Sequence, residues 1–117
     1  MSVLFVDDEI IALMSYEITF RDSCEVVTAQ NGLEALRILE EDDNIKLIFS
    51  DMKMPEMTGI EFIHEAFKKY PDINYYILTG YNITEPIKKA IQNGFVKKYF
   101  GKPLNIGEIK AEIKSFG

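Results

Sequence analysis

The sequence predicts an α/β fold, a doubly wound five-stranded parallel sheet of the (βα)5 type, with strand order 2-1-3-4-5 and helices on both faces. Three observations lead there. Short apolar or β-rich runs recur five times along the 117 residues, each followed by a stretch of helical period, and such alternation builds parallel sheets. The first run is continuously apolar, as in strands covered on both faces. Carboxylates, a threonine and a lysine stand just after the runs, where ligands bind in open sheets of this kind.

Taken in order, residues 3–6 (Val-Leu-Phe-Val) read as the first strand and residues 10–20 as the first helix. Ile10, Leu13, Met14 and Ile18 are spaced to share its buried face. Residues 25–29 form the second strand, and Asn31 opens a helix over 33–41 that turns Leu36 and Leu39 inward. The third strand covers 47–50 and the third helix 60–70. A fourth strand at 75–79, a helix at 85–93, a fifth strand at 96–100 and a last helix at 106–116 complete the series. Asn31, Thr58 and Asn105 each precede a glutamate by three residues, the pattern of a capped helix start. Thr84-Glu85-Pro86 suits another start, because proline fits a first turn. Gly94 can end that helix in a left-handed conformation.

The length is that of one domain, residues 1–117, with 47% hydrophobic and 27% charged residues. No apolar run approaches the roughly 18 residues of a membrane span. Met1-Ser2-Val3 does not open a signal peptide, and the single cysteine, Cys24, has no internal partner. A cytoplasmic location is expected. The net charge of −6 is uneven: residues 1–59 carry 13 acidic and 4 basic side chains, residues 60–117 carry 6 and 9. An acidic chain without a dense basic stripe is a poor nucleic-acid binder. Lys88, Lys89, Lys97, Lys98 and Lys110 gather in the later units, where a solvated face is the plain reading. His64, the only histidine, falls on a helix far from the carboxylates and is expected at the surface, without a metal.

Asp7 and Asp8 follow the first strand and Asp51 the third; those strands are neighbours in a doubly wound sheet, so the three carboxylates share a pocket. Like charges so close stay ionised only beside a cation or compensating donors. Oxygen ligands around a partly open site suit Mg²⁺. Thr79 follows the fourth strand and Lys102 the fifth. A carboxylate can attack phosphorus, while Mg²⁺, Lys102 and the Thr79 hydroxyl stabilise the transferring group. Three carboxylates against Mg²⁺ and one lysine leave the pocket near neutral. A small-molecule aspartyl-phosphate phosphatase is a weaker reading, since Asp7 and Asp8 are adjacent and no cap domain is present. A flavin-binding module is weaker still, because Asp7-Asp8-Glu9 repels phosphate.

The segments Val6-Asp7-Asp8-Glu9, Asp51-Met52-Lys53-Met54-Pro55 with Gly59, Thr79-Gly80 and Lys102-Pro103 resemble, in order, the signature positions of response-regulator receiver domains, which have a flavodoxin-like fold. The resemblance runs from Ser2 to the last helix. It implies Asp51 as phosphoacceptor and a signalling domain that catalyses only its own phosphorylation and dephosphorylation. It implies Mg²⁺ bound directly by Asp8, mainly through water by Asp7, and also by Asp51 and the Lys53 backbone carbonyl. Thr79 and Lys102 bind the phosphoryl group, Thr79 and Tyr99 form the switch, and a cis bond before Pro103 aims Lys102. The implied donor is a sensor histidine kinase or phosphotransfer protein, and the implied docking face for an effector or output domain lies over 85–117. A phosphorylation-dependent homodimer is left open, as is a place within a larger hybrid kinase or output-domain regulator. The segment 78–81 is similar to receivers joined to cyclic-di-GMP phosphodiesterases. Two departures stand out: one extra residue between Gly94 and Lys102, and Phe95 where alanine is usual. Lys53 and Tyr81 occupy positions that tune phosphate lifetime in the family, and their bulk predicts a long-lived phosphate.

Overall fold

The computed structural model describes residues 1–80 and 82–116. Its elements are β1 (Ser2–Val6), α1 (Ile10–Phe20), β2 (Glu25–Ala29), α2 (Gly32–Glu41) and β3 (Ile45–Asp51), followed by α3 (Gly59–Lys69), β4 (Asn74–Thr79), α4 (Glu85–Gln92), β5 (Lys98–Gly101) and α5 (Ile106–Lys114). The strands form one sheet in the order β2-β1-β3-β4-β5, every pair parallel. The expected architecture holds.

Strand residues alternate between two cores because successive side chains leave a strand on opposite faces. Leu4, Val6, Ile48, Tyr75 and Ile77 pack against α2, α3 and α4. Val3, Phe5, Leu47, Phe49, Tyr76, Leu78 and Phe100 pack against α1 and α5. Here the register aligns Phe5 with Phe49 and Phe49 with Tyr76, so rings stack across three strands with centroids 5.3 and 4.6 Å apart. Such pairs add about 0.5–1.5 kcal/mol each beyond the area they bury. A rigid ladder thus runs under the strand ends that carry the polar residues.

Three caps behave as their sequence suggests: Asn31, Thr58 and Asn105 accept from the backbone N–H of Glu34, Glu61 and Glu108, and Thr58 with Glu61 closes the reciprocal box. Thr84 occupies its N-cap position without a side-chain bond, and Pro86 lies in the first turn. Gly94 ends α4 at φ +82°.

Two expectations need correction. On α1 only Leu13 of the four expected core residues is buried; Ile10, Met14 and Ile18 are 55%, 59% and 62% exposed. The buried face is Leu13, Tyr16 and Phe20. The helix is apolar on both sides, so spacing alone could not choose. The larger area of two aromatic rings packed on Phe5 decides it. The fifth strand begins at Lys98, not at 96, because the turn after α4 takes the preceding residues: Phe95 N–H and Val96 N–H both donate to the Ala90 carbonyl. That 6→1 bond after a left-handed glycine is a Schellman ending. Phe95, just past it, sets its ring against Phe67 and His64 with centroids 5.0 and 5.1 Å away. The unusual phenylalanine therefore packs. His64 is exposed, as expected.

Candidate functional site

Register alone assembles the site. Val6 pairs with Ser50, so the next residues, Asp7 and Asp51, emerge side by side. Asp51 pairs with Leu78, which places Thr79 one step further along. Thr79 pairs with Gly101, and the Lys102 N–H donates to the Thr79 carbonyl at 2.8 Å. Four strand ends thus deliver their polar residues to one edge of the sheet. Behind them, the Gly59 N–H donates to the Met52 carbonyl at 2.9 Å, and a Cβ on Gly59 would collide with the Asp51 carbonyl oxygen. Only glycine lets α3 start so close to the strand.

Oxygen atoms of Asp7, Asp8 and Asp51 lie within 4.8 Å of one another. Asp7 is fully buried, Asp51 nearly so, and Asp8 is exposed. Lys102 bridges two of them, its Nζ 3.3 Å from Asp7 Oδ2 and 3.4 Å from Asp51 Oδ1. Above them opens a cleft of about 710 Å³ lined by Asp8, Asp51, Lys53, Gly80 and Lys102 among others. Burial pushes the Asp51 carboxyl above its usual range; Lys102 and the Lys53 backbone N–H pull it down and Asp7 pushes it up, with a net rise. Burial also works against the Lys102 charge, but Asp51 and Asp7 together outweigh it and hold the ammonium above its usual value. One lysine does not neutralise three carboxylates. Hard oxygens facing an open cleft with excess negative charge are a donor set that fits a small divalent cation.

Thr79, 3% exposed, sits beside Asp51 on the neighbouring strand. Tyr99 is 40% exposed at the sheet edge, its ring turned out of the core. The Lys102–Pro103 peptide is cis. Lys53 borders the cleft; Tyr81, paired with it in the lifetime argument, lies outside the described residues.

Two buried polar residues escaped sequence reasoning, one beside the aspartate cluster and one at the other end of the last strand. Tyr16, buried on α1, donates its hydroxyl to Asp7 Oδ2 at 3.3 Å. Burial first, then the Asp7 charge, push its phenol well above the usual value, so it stays a donor. Glu112, buried on α5, accepts from Tyr76 Oη at 2.6 Å and pairs with Lys97 and Lys98 at 3.0 and 2.7 Å. Those two lysines therefore brace α5 against the sheet while, like Lys88, Lys89 and Lys110, remaining exposed on the solvated face. A polar residue inside an otherwise apolar helix stripe was the available signal for both.

The family model described as the response regulator receiver domain matches residues 3–114. The chain is 38% identical over 97 residues to the transcriptional regulatory protein YhcZ of Bacillus subtilis, covering 80% of this chain and 45% of that protein. It is 30% identical over 115 residues to the sporulation initiation phosphotransferase F of the same organism, covering 97% of this chain and 91% of that one. A solved response regulator receiver domain protein from Clostridium thermocellum superposes with a TM-score of 0.89 at 30% identity, over 97% of this chain and 91% of that chain. The chain thus spans under half of one regulator and nearly all of another relative. With a family match over almost its whole length and the strand order of those structures, the chain belongs to the response regulator receiver domain family, the signalling domains of two-component systems.

Proposed function

We propose that this receiver domain accepts a phosphoryl group on Asp51 in a Mg²⁺-dependent transfer and uses it to change the surface formed by residues 85–117. The observation that carries the reading is the meeting of Asp51 with Asp7, Asp8 and Lys102 at the floor of an open cleft. An Asp51 carboxylate oxygen attacks phosphorus, the P–N bond of a phosphohistidine donor breaks, and its electron pair stays with the departing imidazole. Lys102 sits where it can pair with the phosphoryl oxygens, and the Thr79 hydroxyl can donate to them. Asp8, Asp51 and the Lys53 carbonyl would hold the ion, with Asp7 acting mainly through water. Bound there, Mg²⁺ offsets charge on the transferring group. Asp7 supports its indirect role by being buried, with Oδ1 already accepting from the Glu9 N–H. No small substrate is turned over.

The donor is a cytoplasmic sensor histidine kinase or phosphotransfer protein. One relative bears the name phosphotransferase and another that of a transcriptional regulator, which supports both a relay role and a partner or output domain downstream. The exposed side chains Ile10, Ile11 and Met14 flank the acidic strand ends and suit an apolar donor surface. Downstream, Thr79 moving toward the phosphate would draw the exposed Tyr99 ring inward and shift a pre-existing equilibrium. Lys53 at the cleft rim hinders an attacking water, so the phosphate should outlast seconds.

Incubation with Mg²⁺ and acetyl phosphate, read by intact-protein mass spectrometry, tests this reading. One added phosphoryl group is expected, absent from Asp51→Asn and absent after chelation. Undiminished labelling of Asp51→Asn would overturn it.

A further inference from the structure

Asp7 makes an unusual demand on its surroundings. Its carboxylate is fully buried, and a buried charge needs donors on both oxygens. Oδ1 receives the Glu9 N–H at 3.0 Å. Oδ2 is shared by Tyr16 Oη and Lys102 Nζ, both at 3.3 Å. Each contact is long for its type, as expected where two donors divide one oxygen. Lys102 also lies 3.4 Å from Asp51, and on the reading above it must turn toward the phosphoryl oxygens. Its hold on Asp7 is then weakened at the moment when the acidic residues have to keep their places.

Resting on that reading, we propose that Tyr16 is a positioning residue of the phosphorylation site. Its hydroxyl orients the Asp7 carboxylate and remains the side-chain donor on Oδ2 when Lys102 is drawn to the phosphoryl group. The residue is built for constancy. Its ring packs on Phe5 with centroids 5.0 Å apart, and the side chain is 8% exposed. Helix α1 follows directly on the loop that holds Asp7 and Asp8, so a short continuous stretch of chain joins the phenol to the acids. Partners that orient metal-binding groups in this way commonly affect metal affinity by about 10–100-fold.

Tyr16→Phe removes the hydroxyl and keeps the ring. Isothermal titration with Mg²⁺ alone should show Kd raised about tenfold, and the acetyl phosphate reaction should slow even at saturating Mg²⁺. A purely packing role for the ring would leave both unchanged. Native-like Mg²⁺ affinity together with a native-like rate in Tyr16→Phe would overturn the proposal while leaving the phosphoacceptor reading intact. If the native protein takes up neither Mg²⁺ nor phosphoryl, that reading fails and this proposal with it. Should Tyr16→Phe not fold, native protein carrying ¹³Cζ-tyrosine at position 16 gives the answer. Its resonance should shift on phosphorylation as Oδ2 loses Lys102, and an unmoved resonance would overturn the proposal.

Discussion

Two clusters of carboxylate and lysine sit at opposite ends of the last strand, and they are built to opposite rules. At the carboxyl end, three aspartates gather, Lys102 pairs with two of them, Asp7 and Asp51, and Asp8 and Asp51 face an open cleft. At the other end, a single glutamate is held by Lys97, Lys98 and Tyr76. The consequences for proton affinity run in opposite directions. Asp51 is pushed up, chiefly by burial. Glu112 also feels burial, yet hydrogen bonds from Lys98, Tyr76 and Lys97 overcome it and bring the carboxyl down to about 2. A completed cluster stabilises the fold; an incomplete one is held in place by the rest of the fold and keeps excess negative charge of the kind a cation offsets. The contrast separates function from structure more sharply than the presence of charge does.

The same chemical change should therefore have opposite effects at the two ends. Glu112→Gln removes the carboxylate that both lysines share and should cost on the order of 2 kcal/mol, discounted because the lysines are about half exposed. A lower midpoint in urea denaturation would show it. The linked pH dependence has a definite sign. The folded pKa of about 2 lies below the ordinary 4.5, so the contribution is complete above 4.5 and disappears as pH falls from there toward 2. Glu112→Gln should lose that part of the acid dependence.

Gly59→Ala drives a methyl group into the Asp51 carbonyl and should cost roughly 1–3 kcal/mol by overpacking. It should also slow phosphorylation, because α3 can only retreat by shifting the end of β3. Asp51→Asn measured without divalent ions should do the reverse and stabilise the protein by about 1 kcal/mol, since it removes one of three crowded like charges. A destabilised Asp51→Asn would break the comparison. The smallest effect belongs to Glu56, which holds φ +68° in the loop between β3 and α3. Glu56→Gly should relieve that strain and raise stability by about 0.5 kcal/mol, visible as a small increase in thermal midpoint.

The fold and the cleft residues were legible because parallel strands put their polar residues at one edge, and the spacing of apolar runs locates that edge. Asp7, Asp8, Asp51, Thr79 and Lys102 each stand at the end of a run or within two residues of it. The remainder depends on distance along the chain. Tyr76 and Glu112 are 36 residues apart, and nothing local links them. Tyr16 was hidden for another reason: α1 is apolar around most of its circumference, so hydrophobic spacing offered two buried faces and the aromatic packing chose the one that carries a hydroxyl to Asp7. The start of β5 was misplaced because the turn after Gly94 uses backbone bonds to Ala90 that no side-chain pattern announces.

The most direct measurement is a Mg²⁺ titration by calorimetry of the native protein, Asp8→Asn and Glu112→Gln at neutral pH. The electrostatically incomplete cluster should bind one ion saturably, Asp8→Asn should weaken that binding at least tenfold, and Glu112→Gln should leave it unchanged. Binding that is absent from the native protein, or indifferent to Asp8, would contradict the account.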